Sequence, residues 1–281
     1  MFRKFEENLF KVLMIFSSVV IVLILLVIIY TIFSKGIGSL SWEMVSQSPK
    51  GGFYYGKGGG VLNAIVGSLY IAMGSTILAF CIGLPLALFL NIYLANKKKL
   101  VNGIRFLLDV IWGIPSIVYG AFGFMIMIYL GVKTSLLAGI ITVTLFIVPI
   151  MTRGMDEVLK TIPIGLYESG LSLGAYKSEV AYRIYIRQVI PGIITAVLLS
   201  FGRAIGDAAS VLFTAGFTDN IPHSLNEPAA TLPLSIFFQL SSPLKQVQER
   251  AYASALILTI IILIISISSR ILSKKFNKHK I

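Results

Sequence analysis

Two ionisable residues, Arg203 and Asp207, stand four positions apart in an otherwise apolar run, FGRAIGDAASVLFTAGF. If the run is helical they share one face and can pair. Counted from Gly192, Arg203 is about 16 Å along that helix, close to the middle of a bilayer. An arginine at that depth costs at least about 2.5–3.5 kcal/mol on insertion scales. Two readings are open. In one, the pair neutralises itself and faces the interior of a helix bundle. In the other, it is a transport site where Arg203 meets an anion and Asp207 holds or discriminates it. A guanidinium suits phosphate-like anions because its planar fork offers two parallel hydrogen bonds.

A second set of residues lies in the basic stretch 163–187, PIGLYESGLSLGAYKSEVAYRIYIR. Pro163 is compatible with a first helical turn, and Glu168, Ser169, Gly170 and Gly174 follow. Gly170 and Gly174 are four apart and share a face of any helix formed there. Each costs about 1 kcal/mol relative to alanine. Either something packs very closely on that face, or a poorly formed loop helix tolerates glycine.

Other spellings carry less chemistry. Residues 51–57 read G-x-x-x-x-G-K, but Gly58 follows in place of Ser or Thr, with no strand-to-helix context, so a phosphate loop is not expected. Residues 170–174 read G-x-S-x-G, yet a nucleophile elbow needs a preceding strand and a partner histidine. The histidines are His223 and His279, and the lone cysteine, Cys81, sits in an apolar run as a small filler. No metal site, disulfide framework or cofactor is expected. Asp109 and Arg153 are expected at membrane edges, where water is available. With no ATPase motif, any energy must come from a partner, and the chain is not expected to be an enzyme.

The elements that must position these residues are membrane helices. Of 281 residues, 56% are hydrophobic and 13% charged, with a mean hydropathy of +0.88. A soluble domain could not hide that much apolar surface, so the lipid bilayer serves as solvent. Six segments can cross a core of about 30 Å: 12–33, one within 58–96 kinked or divided at Pro85, 104–130, 134–152, 191–216 and 251–271. The first is too long for a signal-peptide core. The net charge of +12 lies at the ends of these runs, without interleaved stacking aromatics, which argues against nucleic acid. With the N-terminus inside, 17 of the 24 Lys and Arg fall inside and 6 outside, Arg203 being the remainder. Both termini are therefore expected in the cytoplasm. Residues 153–190 form a basic, helix-like cytoplasmic loop. Residues 217–250 are external and broken by Pro222, Pro228, Pro233 and Pro243, with a short helix possible over 231–240. The chain divides into 1–57, a first span and external loop; 58–272, a five-helix transmembrane domain; and 273–281, a basic cytoplasmic tail.

The loop and the Arg–Asp run resemble a known family. Permeases of binding-protein-dependent ABC importers carry E-A-A-x3-G-x9-I-x-L-P in a cytoplasmic loop. Here Glu168, Ser169 and Gly170 fill the first positions, Gly174 the glycine, and Ile184 and Ile186 the I-x-L; Arg187 replaces the proline, and Pro191 follows four residues on. Phosphate permeases of the PstA and PstC type carry R-A-x-G-E-T in the corresponding span. Arg203, Ala204 and Gly206 match, Asp207 replaces Glu, and Ala208 replaces Thr. The PstA type is also resembled by GGGVLNAIVGSLY (58–70), LNIYLA (90–95), GIPSIVYGAFGF (113–124) and TLPLSIFFQLSSP (231–243).

The resemblance implies an all-α, six-span type I ABC importer permease of a bacterial or archaeal inner membrane. Its 168–174 loop would dock a helix into a cytoplasmic ATPase. The implied function is phosphate import by alternating access. The implied partners are a second, PstC-type permease, PstB-type ATPase subunits and an external PstS-type phosphate-binding protein. The alternatives are the same machine carrying molybdate, tungstate or sulfate, a six-span ion channel, and an intramembrane enzyme, which the scarcity of histidine disfavours.

Overall fold

The computed structural model describes residues 2–50 and 58–277. The 51–57 stretch, set aside above as a phosphate loop, and residues 278–281 of the basic tail lie outside the described residues. The described chain is helical apart from its turns and an isolated bridge between Pro49 and Gly59.

The centre is built from α3 (Leu62–Leu88), α6 (Leu136–Leu159) and α9 (Ile186–Ile205). Small residues recur along one side of α3: Ala64, Ser68, Ala72, Ser75, Ala79 and Gly83 are all buried. Large apolar residues between them, such as Tyr70, Met73, Ile77 and Ile82, point outward. In lipid the hydrophobic effect does not drive helices together, so small residues that let backbones approach provide the dispersion contact. α6 takes this face: a Cβ on Gly83 would lie 3.0 Å from Thr152 Oγ1, and one on Gly74 2.8 Å from Ile140 Cδ1. Phe146, Ile147, Met151, Met155, Ile193 and Ile205 fill the core between the three helices.

Prolines mark the irregularities. Pro85 lies inside α3 as anticipated, and the helix continues into a π turn, Phe89–Tyr93. Pro191 lies inside α9, and Val189, two residues earlier, has left helical geometry (φ −117°, ψ 15°). The ring removes one donor and crowds the preceding turn, which bends the helix there.

The third expected span, 104–130, is not one straight helix. It comprises α4 (Lys98–Trp112) and α5 (Ser116–Leu130), bent by 90°. Pro115 disfavours α-geometry at Ile114, so the first helix stops at Trp112. α4 is amphipathic, with Lys98, Asn102, Arg105 and Asp109 along one side. The fifth span, expected over 191–216, also ends early, at Ile205. With the bent pair counted once, the described helices supply six spans.

The periphery consists of α1 (Phe2–Gly36), α2 (Trp42–Ser46), α7 (Ile164–Ser172), α8 (Lys177–Glu179), α10 (Leu232–Leu240) and α11 (Lys245–Asn277). α1 is exposed along most of its length and joins α11 near Gly36, where a Cβ would come 2.6 Å from the Tyr252 carbonyl oxygen. The short helix anticipated at 231–240 is present. Thr231 Oγ1 accepts from Leu234 N at 3.4 Å, and Ser68 Oγ accepts from Leu232 N at 2.8 Å. Gly67 lets α3 rest directly on the Ala230 carbonyl, and Asn63 Nδ2 donates to Thr218 O at 2.6 Å. The GGGVLNAIVGSLY run thus anchors the segment 217–231.

Candidate functional site

α9 breaks at Gly206, where Ala204 and Ile205 are buried while Arg203 and Gly206 are exposed. Arg203, in its last turn, stacks over Phe146 with Cζ 5.2 Å from the ring centroid. Phe146 lies near the middle of α6, a helix long and apolar enough to span, so Arg203 sits beside the mid-length of that helix. A cation in a last helical turn also complements the helix dipole.

The anticipated Arg203–Asp207 pair does not form. Because the helix ends between them, the four-residue spacing no longer places them on one face. Asp207 instead caps the following turn, its Oδ2 accepting from Ser210 N at 2.9 Å. Residues 206–216 then continue without a regular helix, with turns over 209–215. Non-helical backbone at this depth is tolerated only when buried in protein or lining a cavity. Here protein supplies the partners: Ser135 N donates to Thr214 O at 3.0 Å and Ala229 N to Ala215 O at 2.9 Å. α5 presses on the segment through Gly120, whose Cβ would lie 2.8 Å from Ala209 O. The GIPSIVYGAFGF run therefore does two things: it bends the chain at 113–115 and clasps the broken span.

Below the break, Arg203 opens onto a chamber of about 390 Å³ lined also by Trp112, Ile150, Arg153, Glu157 and Leu199. Arg203 is exposed in the isolated chain, and among the described residues no carboxylate pairs with it. The site combines a guanidinium that no carboxylate pairs with, an aromatic and aliphatic wall, and an Arg153–Glu157 pair in its lining, so Arg203 is the charge left to receive an anion.

The residues expected at membrane edges form a network that the sequence reading missed. Asp156 is fully buried, and its carboxylate accepts from Arg105 Nε (2.9 Å) and Nη2 (2.8 Å), Asn91 Nδ2 (2.8 Å) and Arg153 Nη1 (2.6 Å). Arg153 Nε also reaches Asp109 Oδ1 at 2.6 Å. The cluster ties α4 and the π turn that follows α3 to α6. One signal was available: four charged residues, Arg153, Asp156, Glu157 and Lys160, at helical spacing beyond the expected end of the fourth span. α6 does continue through the first three to Leu159, with Lys160 as its C-cap.

The loop residues are arranged differently from either reading of the glycines. α7 ends after Ser172, and Gly174 has a left-handed φ of +83°. Ala175 N donates to Gly170 O at 3.2 Å and Gly174 N to Leu171 O at 2.9 Å, a Schellman termination. Gly174 is thus a stop residue with open space around it, not part of a packed face. Gly170 is packed, but by this chain: a Cβ would lie 2.8 Å from Ile184 Cδ1 and 3.1 Å from Val180 Cγ2. Ser172, centre of the G-x-S-x-G spelling, donates to Glu168 O at 2.9 Å within the helix. Glu168 lines a separate pocket of about 580 Å³ with Lys98, Arg105, Lys160 and Tyr167. Beside the glycines, Ile164, Leu173 and Tyr176 protrude, Leu173 with 89% of its surface exposed.

Residues 83–280 match the family described as binding-protein-dependent transport system inner membrane component. The phosphate transport system permease protein PstA of Pasteurella multocida is 35% identical over 247 residues, 87% of this chain and 86% of that protein. The PstA protein of Haemophilus influenzae is 32% identical over 256 residues, 90% and 87%. The probable ABC transporter permease protein YqgI of Bacillus subtilis is 26% identical over 283 residues, 95% of each. Among solved structures, an inward-facing MetNI methionine ABC transporter matches with a TM-score of 0.64 at 18% identity, over 76% of this chain and 95% of that one. At that identity the likeness concerns the fold alone.

Proposed function

The chain belongs to the family of binding-protein-dependent transport system inner membrane components, and from that premise we propose that it is the membrane-spanning permease subunit of an ATP-driven phosphate importer. Sequence likeness to the PstA proteins along nearly the whole chain supports phosphate as the substrate. A multi-pass inner-membrane subunit of this family works with an ATPase and a binding protein. Their finer identities, PstB-type and PstS-type, and a PstC-type second permease, follow from the PstA likeness. The lysine and arginine bias supports cytoplasmic termini.

The observation that carries the transport reading is Arg203. It is held at mid-depth by a broken helix, faces a chamber, and has an aromatic ring beneath it in place of a carboxylate. Broken helices at the midplane are where transporters build substrate sites; here the broken end is a C-terminus, whose carbonyl groups favour the Arg203 cation, and the guanidinium supplies the positive charge an anion needs. In this reading phosphate passes between this chain and the second permease, meets Arg203, and leaves by the chamber when the ATPase flips the cavity. Asp207 shapes the turn beside it. The 168–174 loop docks the ATPase: Glu168, Ser169 and Gly170 form a helix braced from behind by Val180 and Ile184, Gly174 ends it, and Leu173 and Tyr176 present apolar surface.

Two substitutions test this reading in the complete transporter reconstituted in proteoliposomes. Arg203→Ala is expected to lower ATP-driven phosphate uptake about a hundredfold or more, the loss of charge-assisted bonds to a dianion, with the subunits still assembled. Wild-type uptake would reject the role, and sulfate or molybdate competing as well as phosphate would reject the substrate. Leu173→Asp is expected to reduce co-purification of the ATPase at least tenfold, roughly the cost of burying an unpaired charge. Full retention would place the docking surface elsewhere.

A further inference from the structure

α4 carries a surface that the transport reading leaves unused. On the side away from Lys98, Asn102, Arg105 and Asp109, the side chains of Leu100, Phe106, Leu107, Val110 and Ile111 are all exposed, Phe106 by 68%. Gly103, on the same arc, has nothing within 4 Å of a Cβ position. The helix meets α5 at 90°, so the two cannot both lie along the bilayer normal. At its start stand Lys97, Lys98 and Lys99, all exposed, and among the described residues none of them joins an ion pair. On its inner side α4 is pinned by Val101 and Leu108, packed with Leu90 and Leu94, and by the Arg105–Asp156 and Asp109–Arg153 pairs. The rotation of the helix is therefore fixed, with the apolar arc outward.

We infer that α4 lies in the cytoplasmic leaflet as an interfacial helix and that Lys97, Lys98 and Lys99 bind the headgroups of anionic phospholipids. This rests on the proposed topology, which puts 97–105 inside. An apolar arc opposite a polar face, flanked by lysines, is what the acyl–headgroup boundary accepts. The occupant is a lipid surface rather than a protein groove for two reasons on the molecule itself. The arc is continuous with the exposed apolar faces of α5, including Ile117 and Val118, and the unpaired positive charge stands at the end of the arc, where headgroup phosphates would lie. Each lysine near an anionic surface adds attraction, and three together give a preference of about a hundredfold at most. Through Arg105 and Asp109 the same helix is bonded to α6, so its seating in the leaflet also positions the residues that line the Arg203 chamber.

The test uses the complete transporter in nanodiscs, with Cys81→Ala removing the native thiol and Phe106→Cys carrying an environment-sensitive fluorophore. Lipids bearing a shallow nitroxide are expected to quench the label strongly in phosphatidylglycerol discs and less in phosphatidylcholine discs. In native mass spectrometry, Lys97→Gln/Lys98→Gln/Lys99→Gln is expected to retain at least about tenfold less phosphatidylglycerol than the unsubstituted chain. A label shielded from lipid quenchers would show that protein covers the arc, and equal lipid retention would show that the lysines do not select anionic lipid; either result overturns the inference. ATP-driven uptake measured in parallel proteoliposomes separates the two readings, since loss of transport with intact quenching would count against the proposed function and not against the seating of α4.

Discussion

Arg153 and Arg203 line one chamber, yet they are held in opposite ways. Arg153 touches three carboxylates, those of Asp109, Asp156 and Glu157. Arg203 touches none and lies on the ring of Phe146. Burying a charge is costly unless it is paired, and a paired charge has little left to offer a passing ion. The difference separates a residue that fastens helices from one that can hold an anion. It also matches their surroundings: Arg153 sits where α4, α6 and the π turn that follows α3 converge, and Arg203 sits where a helix stops.

The contrast can be broken first at Asp156. Asp156→Ala leaves Arg105 and Arg153 facing each other without their shared anion, and removing one partner of a buried pair costs about 3–5 kcal/mol. The expected result is a lower melting temperature for the purified complex and detachment of α4, seen as faster hydrogen exchange over 98–112. A melting temperature equal to the parent would mean the network is ornamental. Arg203→Ala sharpens the other half: it is expected to leave the melting temperature nearly unchanged while uptake collapses. The two variants should therefore swap signatures, one structural and one functional. The smallest effect is expected at Asp207. Asp207→Asn keeps an oxygen that can accept from Ser210 N and should preserve most uptake, whereas Asp207→Ala loses the cap, worth about 1 kcal/mol. If Asn is as damaging as Ala, the charge itself matters, and Asp207 moves from the turn to the transport path.

Much of this was legible in the residues. A guanidinium inside a run of apolar residues announces itself, because so few reasons justify it. Gly170 and Gly174 were found by their spacing, and Glu168 and Ser169 by the loop motif they resemble, but the spacing misled about geometry. Four residues apart implies one face only while the helix lasts, and α7 ends between Gly170 and Gly174. The same rule failed for Arg203 and Asp207 at Gly206. In both places a glycine marks the end, and in both the periodic argument ran past it. The Asp156 network was hidden for another reason: its partners are 51 and 65 residues away in Arg105 and Asn91.

The sequence by itself determined that the chain is helical, that it lives in lipid and spans it about six times, and which family it joins, because composition, run length and motif order are local properties. Only the tertiary structure decided where the third and fifth spans break and which arginine stays free. An apolar run does not reveal whether its backbone groups will be satisfied by their own helix or by α5, Ser135 and Ala229. A charge does not reveal its partner until the helices that carry both have packed.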